Sequence, residues 1–171
     1  MKLEDVLPIA QRVKATLEPY CERIEIAGSV RRRKAEVKDL EIVAIPKVMK
    51  TGLFDSVMER HPGFCKAVEQ WPAIKGKPTG KYTQRTLPEG LVLDLFMAEA
   101  NNWGLILAIR TGSADYSHRV LAGGWVRHGL KSAEGHLYRG DELLVVKEEE
   151  DLFRLSGVKW VEPELRTWGG K

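Results

Sequence analysis

Ile24-Glu25-Ile26-Ala27-Gly28-Ser29-Val30-Arg31-Arg32, followed by Lys38-Asp39-Leu40-Glu41-Ile42-Val43-Ala44-Ile45, decides how the rest of this chain is read. It reads as an apolar strand, a Gly-Ser turn, a short basic segment and a second strand opening on two acids. Side chains two apart on a strand point the same way, so Asp39 and Glu41 share one face and Leu40, Ile42 and Ala44 the other. Two carboxylates on one face repel each other unless a cation lies between them. Hard oxygen ligands of this kind suit Mg²⁺, which also takes phosphate oxygens. The Gly28-Ser29 turn offers backbone N–H groups and a hydroxyl to such phosphates, and Arg31 to Arg33 supply positive charge. These parts point to phosphoryl chemistry.

A third acid stands in Leu91-Val92-Leu93-Asp94-Leu95-Phe96-Met97, an apolar strand with one carboxylate at its centre. Burying a lone acid in such a run is costly unless it is paired or coordinates a metal. If this strand lies beside the Asp39 strand, Asp94 completes a three-carboxylate cluster able to hold two metal ions.

Gly28-Ser29-x-Arg31-Arg32, then Asp39-x-Glu41, then Asp94 resembles the nucleotidyltransferase signature of family X DNA polymerases, the polymerase beta type. Arg110-Thr111-Gly112-Ser113 resembles that family's thumb motif, and Trp160-Val161-Glu162-Pro163-Glu164-Leu165-Arg166 its C-terminal ending. The order and spacing agree from about residue 20 to residue 166. Four motifs in order carry far more weight than any one of them.

The resemblance implies an α+β fold: a palm over residues 1–100, with a mixed sheet and flanking helices, and a small α+β thumb lobe over 101–171. It implies template-directed transfer of a deoxynucleotide to a primer 3′-hydroxyl, in gap filling or repair, with DNA primer-template or gapped DNA and a dNTP as partners. Asp39, Glu41 and Asp94 would be both the catalytic carboxylates and the ligands of two Mg²⁺ ions, with Mn²⁺ able to substitute. Gly28, Ser29, Arg32, Lys38, Thr111, Gly112 and Ser117 would face the nucleotide. Two departures stand at the site: Glu41 where the family usually has aspartate, and Arg33 where a glycine is common. Only about twenty residues precede the first sheet strand, so the chain is expected to lack the family's helical N-terminal lyase domain. A small polymerase of this pattern resembles viral examples, with a bacterial or phage host the other context.

Two other readings remain open. A nontemplated nucleotidyltransferase acting on a small molecule, an RNA end or a protein would share the Gly-Ser and acidic motifs. It would generally lack Thr111-Gly112 and Pro163-Glu164. A noncatalytic DNA-end-binding module would have no need of three intact acids.

Composition excludes other classes. The 171 residues are 43% hydrophobic and 30% charged, enough for a proper core in one domain or two small lobes. No apolar run approaches a membrane span, and the N-terminus lacks a signal peptide's apolar core. Cys21 and Cys65 lack metal-ligand spacing, so they read as reduced and structural, in a cytoplasm-like compartment. The chain is expected to act as a monomer. The net charge of +3, from 27 Lys+Arg against 24 Asp+Glu, is by itself a weak sign of nucleic-acid binding.

Helical spacing of Leu3, Val6, Leu7, Ala10, Val13 and Leu17 predicts an amphipathic helix over about the first twenty residues, with Pro8 near its first turn and Pro19 closing it. Thr51 to Gln70 reads as one or two short helices broken at His61-Pro62-Gly63, with Leu53, Val57, Phe64 and Val68 inward. A hairpin is predicted around Lys75 to Lys81, its Lys75, Lys77, Lys81 and Arg85 reading as solvated charges. A helix follows over Asn102 to Ile109, then another through Tyr116 to Val126 weakened by Gly123-Gly124. Short strands are expected near Leu130, over His136 to Tyr138 and over Leu143 to Val146. Glu148 to Leu155 closes the list as a helix whose acidic first turn suits its dipole. Trp103 and Trp125 read as core, and the four histidines as ordinary residues.

Overall fold

The computed structural model describes residues 1–52 and 57–169 of the chain. They form two compact units, Met1–Ile26 with Ala35–Ala98, and Ala27–Lys34 with Glu99–Lys171. The sequence reading drew a single boundary at residue 100. The segment Ala27–Lys34 groups with the second unit instead, because Arg31 and Arg32 bond to Thr111 and Glu149.

In the first unit, helix α1 (Leu3–Leu17) buries Val6, Ile9, Ala10, Val13 and Leu17 and packs on strands β1 (Cys21–Ile26) and β2 (Asp39–Pro46). The helix starts earlier than predicted, and Pro8 sits inside it rather than in its first turn. Burial of that apolar stripe, at about 1.5–3 kcal/mol per large side chain, outweighs the hydrogen bond Pro8 cannot donate. Leu7, expected inward, is exposed.

Among the described residues, β1 and β2 join β7 (Val92–Met97), β6 (Tyr82–Thr86) and β5 (Ala73–Gly76) in a five-stranded mixed sheet of order β1-β2-β7-β6-β5. Only the central β2–β7 pair is parallel; it sets Leu40 opposite Leu93, Glu41 opposite Asp94 and Ile42 opposite Leu95. Leu40, Ile42, Leu93 and Leu95 are fully buried on one face, while Asp39, Glu41, Val92, Asp94 and Phe96 alternate with them on the other. The predicted hairpin around Lys75–Lys81 is β5–β6. Arg85 corrects its sequence reading: it lies buried beside Thr83 on the core side, donating to Thr83 Oγ1 and the Trp71 carbonyl.

At Thr51 and over Val57–Arg60 the helical reading of Thr51 to Gln70 is overturned. Strands β3 (Val48–Thr51) and β4 (Val57–Arg60) form an antiparallel ribbon, with Lys50 opposite Met58 and Thr51 opposite Val57. Val57, expected inward, is exposed, and Leu53 lies outside the described residues. A short apolar run is helix or strand according to the partner it finds, which periodicity cannot see. Helix α3 (Pro62–Glu69) does follow, capped by the His61 ring accepting from the Gly63 N–H, with Phe64 and Val68 buried. Burial pushes the Cys21 thiol up to about 12, so it stays an inert core group.

The second unit opens with α2, a single turn over Gly28–Arg31. Helix α4 (Trp103–Thr111) ends at Gly112. A π-helical segment (Tyr116–Ala122) leads into α5 (Gly123–Arg127). Strands β8 (Leu130–Ala133), β9 (His136–Arg139) and β10 (Glu142–Leu144) form an antiparallel sheet, and α6 (Glu149–Leu155) follows. The last strand stops short of its predicted end, since Val146 turns inward and exchanges backbone hydrogen bonds with Asn101 and Gly104. Trp125, Leu121, Leu137, Leu152 and Phe153 belong to the core cluster of this unit. Trp103 is buried as well.

Candidate active site

Strand alternation places the three acids. Asp39 and Glu41 follow one another on the half-buried face of β2, and Asp94 stands directly across from Glu41 on β7. The sequence expectation that the two acidic strands are neighbours therefore holds. Lys38, one residue earlier, is exposed. Asp94 carries two hydrogen bonds that sequence reasoning missed. The Tyr82 hydroxyl donates to Oδ1, and the Gln84 amide donates to the same oxygen at 3.0 Å. Gln84 is the register partner of Asp94 on β6, and Tyr82 lies opposite Phe96. The signal was present as alternation, because Tyr82 and Gln84 share a face once Thr83 and Arg85 turn inward.

In donor type this set suits a hard divalent cation, being all carboxylate oxygen on one sheet face. As the side chains stand, no group of three or more His, Cys, Asp or Glu among the described residues is gathered closely enough to hold a metal ion.

The loop after β1 has its own logic. Gly28 adopts φ of 61°, a left-handed conformation that glycine takes without steric cost. The Ser29 hydroxyl is buried and has no hydrogen-bond partner among the described residues. Such an orphan oxygen is costly to keep, which makes it a good donor to an anionic ligand. Arg31 meets Glu149 as a fork, Nη1 to Oε1 at 2.8 Å and Nη2 to Oε2 at 2.7 Å, and donates to Thr111 Oγ1 at 2.6 Å. Arg32 donates to the Thr111 carbonyl at 2.6 Å. Arg33 is exposed, with φ of 55°.

Glu149 is the residue whose role the sequence concealed. It reads as one acid in a helix cap, and Glu148 with Asp151 does form that capping box. Glu149 instead lies buried between Arg31 and Arg166. Burial pushes its carboxyl up, but hydrogen bonds and charge from the two guanidiniums outweigh this and hold it below its ordinary value of 4.5. Arg166 is fully buried against the rings of Phe153 and Trp160, with its guanidinium carbon 4.9 and 4.6 Å from their centroids.

Thr111, Gly112 and Ser117 come together at the end of α4. Thr111 is fully buried, and a methyl added at Gly112 would lie 2.5 Å from Ser117 Oγ. That hydroxyl donates to the Ile109 carbonyl at 2.8 Å, so the Ser117 side chain is turned inward.

Residues 106–167 match the DNA polymerase beta thumb family. No curated protein sequence matches the chain. Among solved structures, Leishmania infantum polymerase beta in a ternary P/T complex has a similar fold: TM-score 0.73 at 15% identity, over 97% of this chain and 76% of that one. Over residues 106–167 the chain is therefore similar to the polymerase beta thumb, and over nearly its whole length it shares the fold of a polymerase beta.

Proposed function

We propose that the chain is a template-directed DNA polymerase that adds deoxynucleotides to a primer 3′-hydroxyl, working on primer-template or gapped DNA. The observation that carries this reading is the placement of Glu41 opposite Asp94 on neighbouring parallel strands, with Asp39 on the same face. In this proposal the primer 3′-hydroxyl gives up its proton to solvent and its oxygen attacks the α-phosphorus of a dNTP, forming the new P–O bond as the bond to pyrophosphate breaks. Asp39, Glu41 and Asp94 would hold two Mg²⁺ ions, whose chemistry would be to lower the pKa of the hydroxyl and to offset charge on the triphosphate. Asp94 would be the carboxylate on the hydroxyl side, with Asp39 and Glu41 as the further ligands. Glu41 reaches one methylene further than the usual aspartate, so its strand position sets a longer arm toward the same cations. The orphan Ser29 hydroxyl, the Gly28 and Ser29 N–H groups, Arg32 and Lys38 bind the phosphate tail. The backbone at Thr111-Gly112 supports the sugar and base, with Ser117 bracing it from inside.

The test is primer extension on gapped, nicked and unpaired DNA, with each dNTP in turn and with Mg²⁺ or Mn²⁺. Incorporation should follow the template base, and Asp94→Asn should lose at least about two decades in rate while remaining folded. Addition indifferent to template would move the chain to nontemplated transfer. Full activity in Asp94→Asn would remove the assignment.

A further inference from the structure

Asp94 has no donor along its own strand. Its same-face neighbours on β7 are Val92 and Phe96, both apolar. Its two hydrogen bonds come from β6, from the Tyr82 hydroxyl and the Gln84 amide, and both fall on Oδ1. The supports are themselves held. The Tyr82 ring stacks on Phe96 with centroids 4.9 Å apart and planes at 28°, and antiparallel register fixes Gln84 across from Asp94. Both donors are neutral. An arginine or lysine in their place would orient the carboxylate too, but its charge would compete with a cation for it. Neutral donors pin one oxygen and leave the full negative charge of the group.

We propose that Tyr82 and Gln84 are the positioning residues of Asp94, locking Oδ1 so that Oδ2 is presented to a divalent cation. This rests on the reading of Asp94 as a metal ligand. Such outer partners are worth about 10–100-fold in metal affinity at ligating side chains.

The experiment uses the full chain with Mn²⁺ alone as probe, its binding followed by electron paramagnetic resonance, with circular dichroism as the check on folding. Tyr82→Phe keeps the ring and its stacking on Phe96 and removes only the hydroxyl. Gln84→Met keeps the length and removes the amide. The double variant should bind Mn²⁺ about 10–100-fold more weakly than the parent, and each single variant should show an intermediate loss. If the double variant does not fold, Tyr82→Phe alone carries the test, with a loss of about threefold or more expected as its share of the roughly 10–100-fold effect of the pair. Asp94→Asn separates the two claims. If it loses Mn²⁺ while Tyr82→Phe and Gln84→Met bind within about twofold of the parent, well short of the effect expected of outer partners, the positioning role is overturned and the metal site stands. If Asp94→Asn binds Mn²⁺ as the parent does, both fall.

Discussion

Arg33 holds φ at 55°, in the region where a side chain pays for its Cβ. Its guanidinium is exposed and 3.7 Å from the exposed Glu164 carboxylate, a pairing of little worth. Relief of the left-handed strain, about 1–2 kcal/mol, exceeds the roughly 0.4–1 kcal/mol that glycine adds to unfolded-chain entropy. Arg33→Gly is therefore expected to raise stability by up to about 1 kcal/mol in urea denaturation, and a clear loss would contradict this. At Ile109 and Arg110 the residue scale bears on substrate choice. The family resemblance puts an aromatic pair there as a wall against the ribose 2′-hydroxyl, and this chain has neither ring. Since one pocket contact supplies about 1–3 kcal/mol, sugar discrimination should stay below about a thousandfold. Comparison of kcat/KM for matched ribo- and deoxynucleotides checks it, and a larger preference would place the exclusion elsewhere.

At the scale of elements, two adjacent glycines do opposite things. Both stand in α5 with helical backbone, so propensity alone makes each a weakness of about 1 kcal/mol against alanine. A methyl at Gly123 meets the far end of the Arg127 side chain at 3.2 Å and the His118 carbonyl at an ordinary 3.9 Å. A methyl at Gly124 would lie 2.7 Å from the Ser156 carbonyl and 2.8 Å from Val158. Gly123→Ala should therefore stabilise by about 0.5–1 kcal/mol. Gly124→Ala should destabilise by about 1–3 kcal/mol as the packing of α5 on the chain after α6 is forced apart. Thermal melts of the two variants, moving in opposite directions, are the check; parallel shifts would show that helix propensity dominates there. The β3–β4 ribbon makes the same point from the other side. Its second strand, Val57–Arg60, reads as helix in isolation and is a strand because it pairs with β3.

On the scale of the whole molecule, the Arg31–Glu149–Arg166 cluster ties three distant parts of the chain within the second unit: the Gly-Ser loop, the start of α6 and the C-terminal segment. Glu149 is the anion shared by two buried or half-buried guanidiniums, so removing its charge leaves them uncompensated. Glu149→Gln should cost about 3–5 kcal/mol at pH 7. The pH dependence follows from the direction of its shift. A carboxyl held below 4.5 in the folded state binds fewer protons there than in the unfolded chain. Its stabilisation is complete above the unfolded value of 4.5 and disappears as pH falls through the lower folded value. The gap between parent and Glu149→Gln, read from denaturant melts, should therefore be widest near neutrality and close as pH falls below 4.5 through the lower folded value. A gap independent of pH would mean that the loss is one of packing.

What the sequence determined alone is what depends on near neighbours and chemical type. Period-two alternation was enough to set Asp39 beside Glu41 and to mark Asp94 as an acid needing a partner. Turn residues announced the break at His61-Pro62-Gly63, and the acidic run from Glu148 announced a helix start. The order of four motifs carried the polymerase resemblance, since motif order survives where overall identity does not. What only the tertiary structure decided are pairings between residues far apart in the chain. Gln84 becomes a partner of Asp94 only when β6 lies against β7 in that register. Arg31 and Glu149, 118 residues apart, look like a basic turn and a helix cap until folding buries them together. Arg85 looks like a solvated hairpin charge until alternation turns it into the core. A local pattern reports a residue's own backbone preference and the face it shares; its electrostatic partner is chosen by the packing of elements that sequence proximity does not encode.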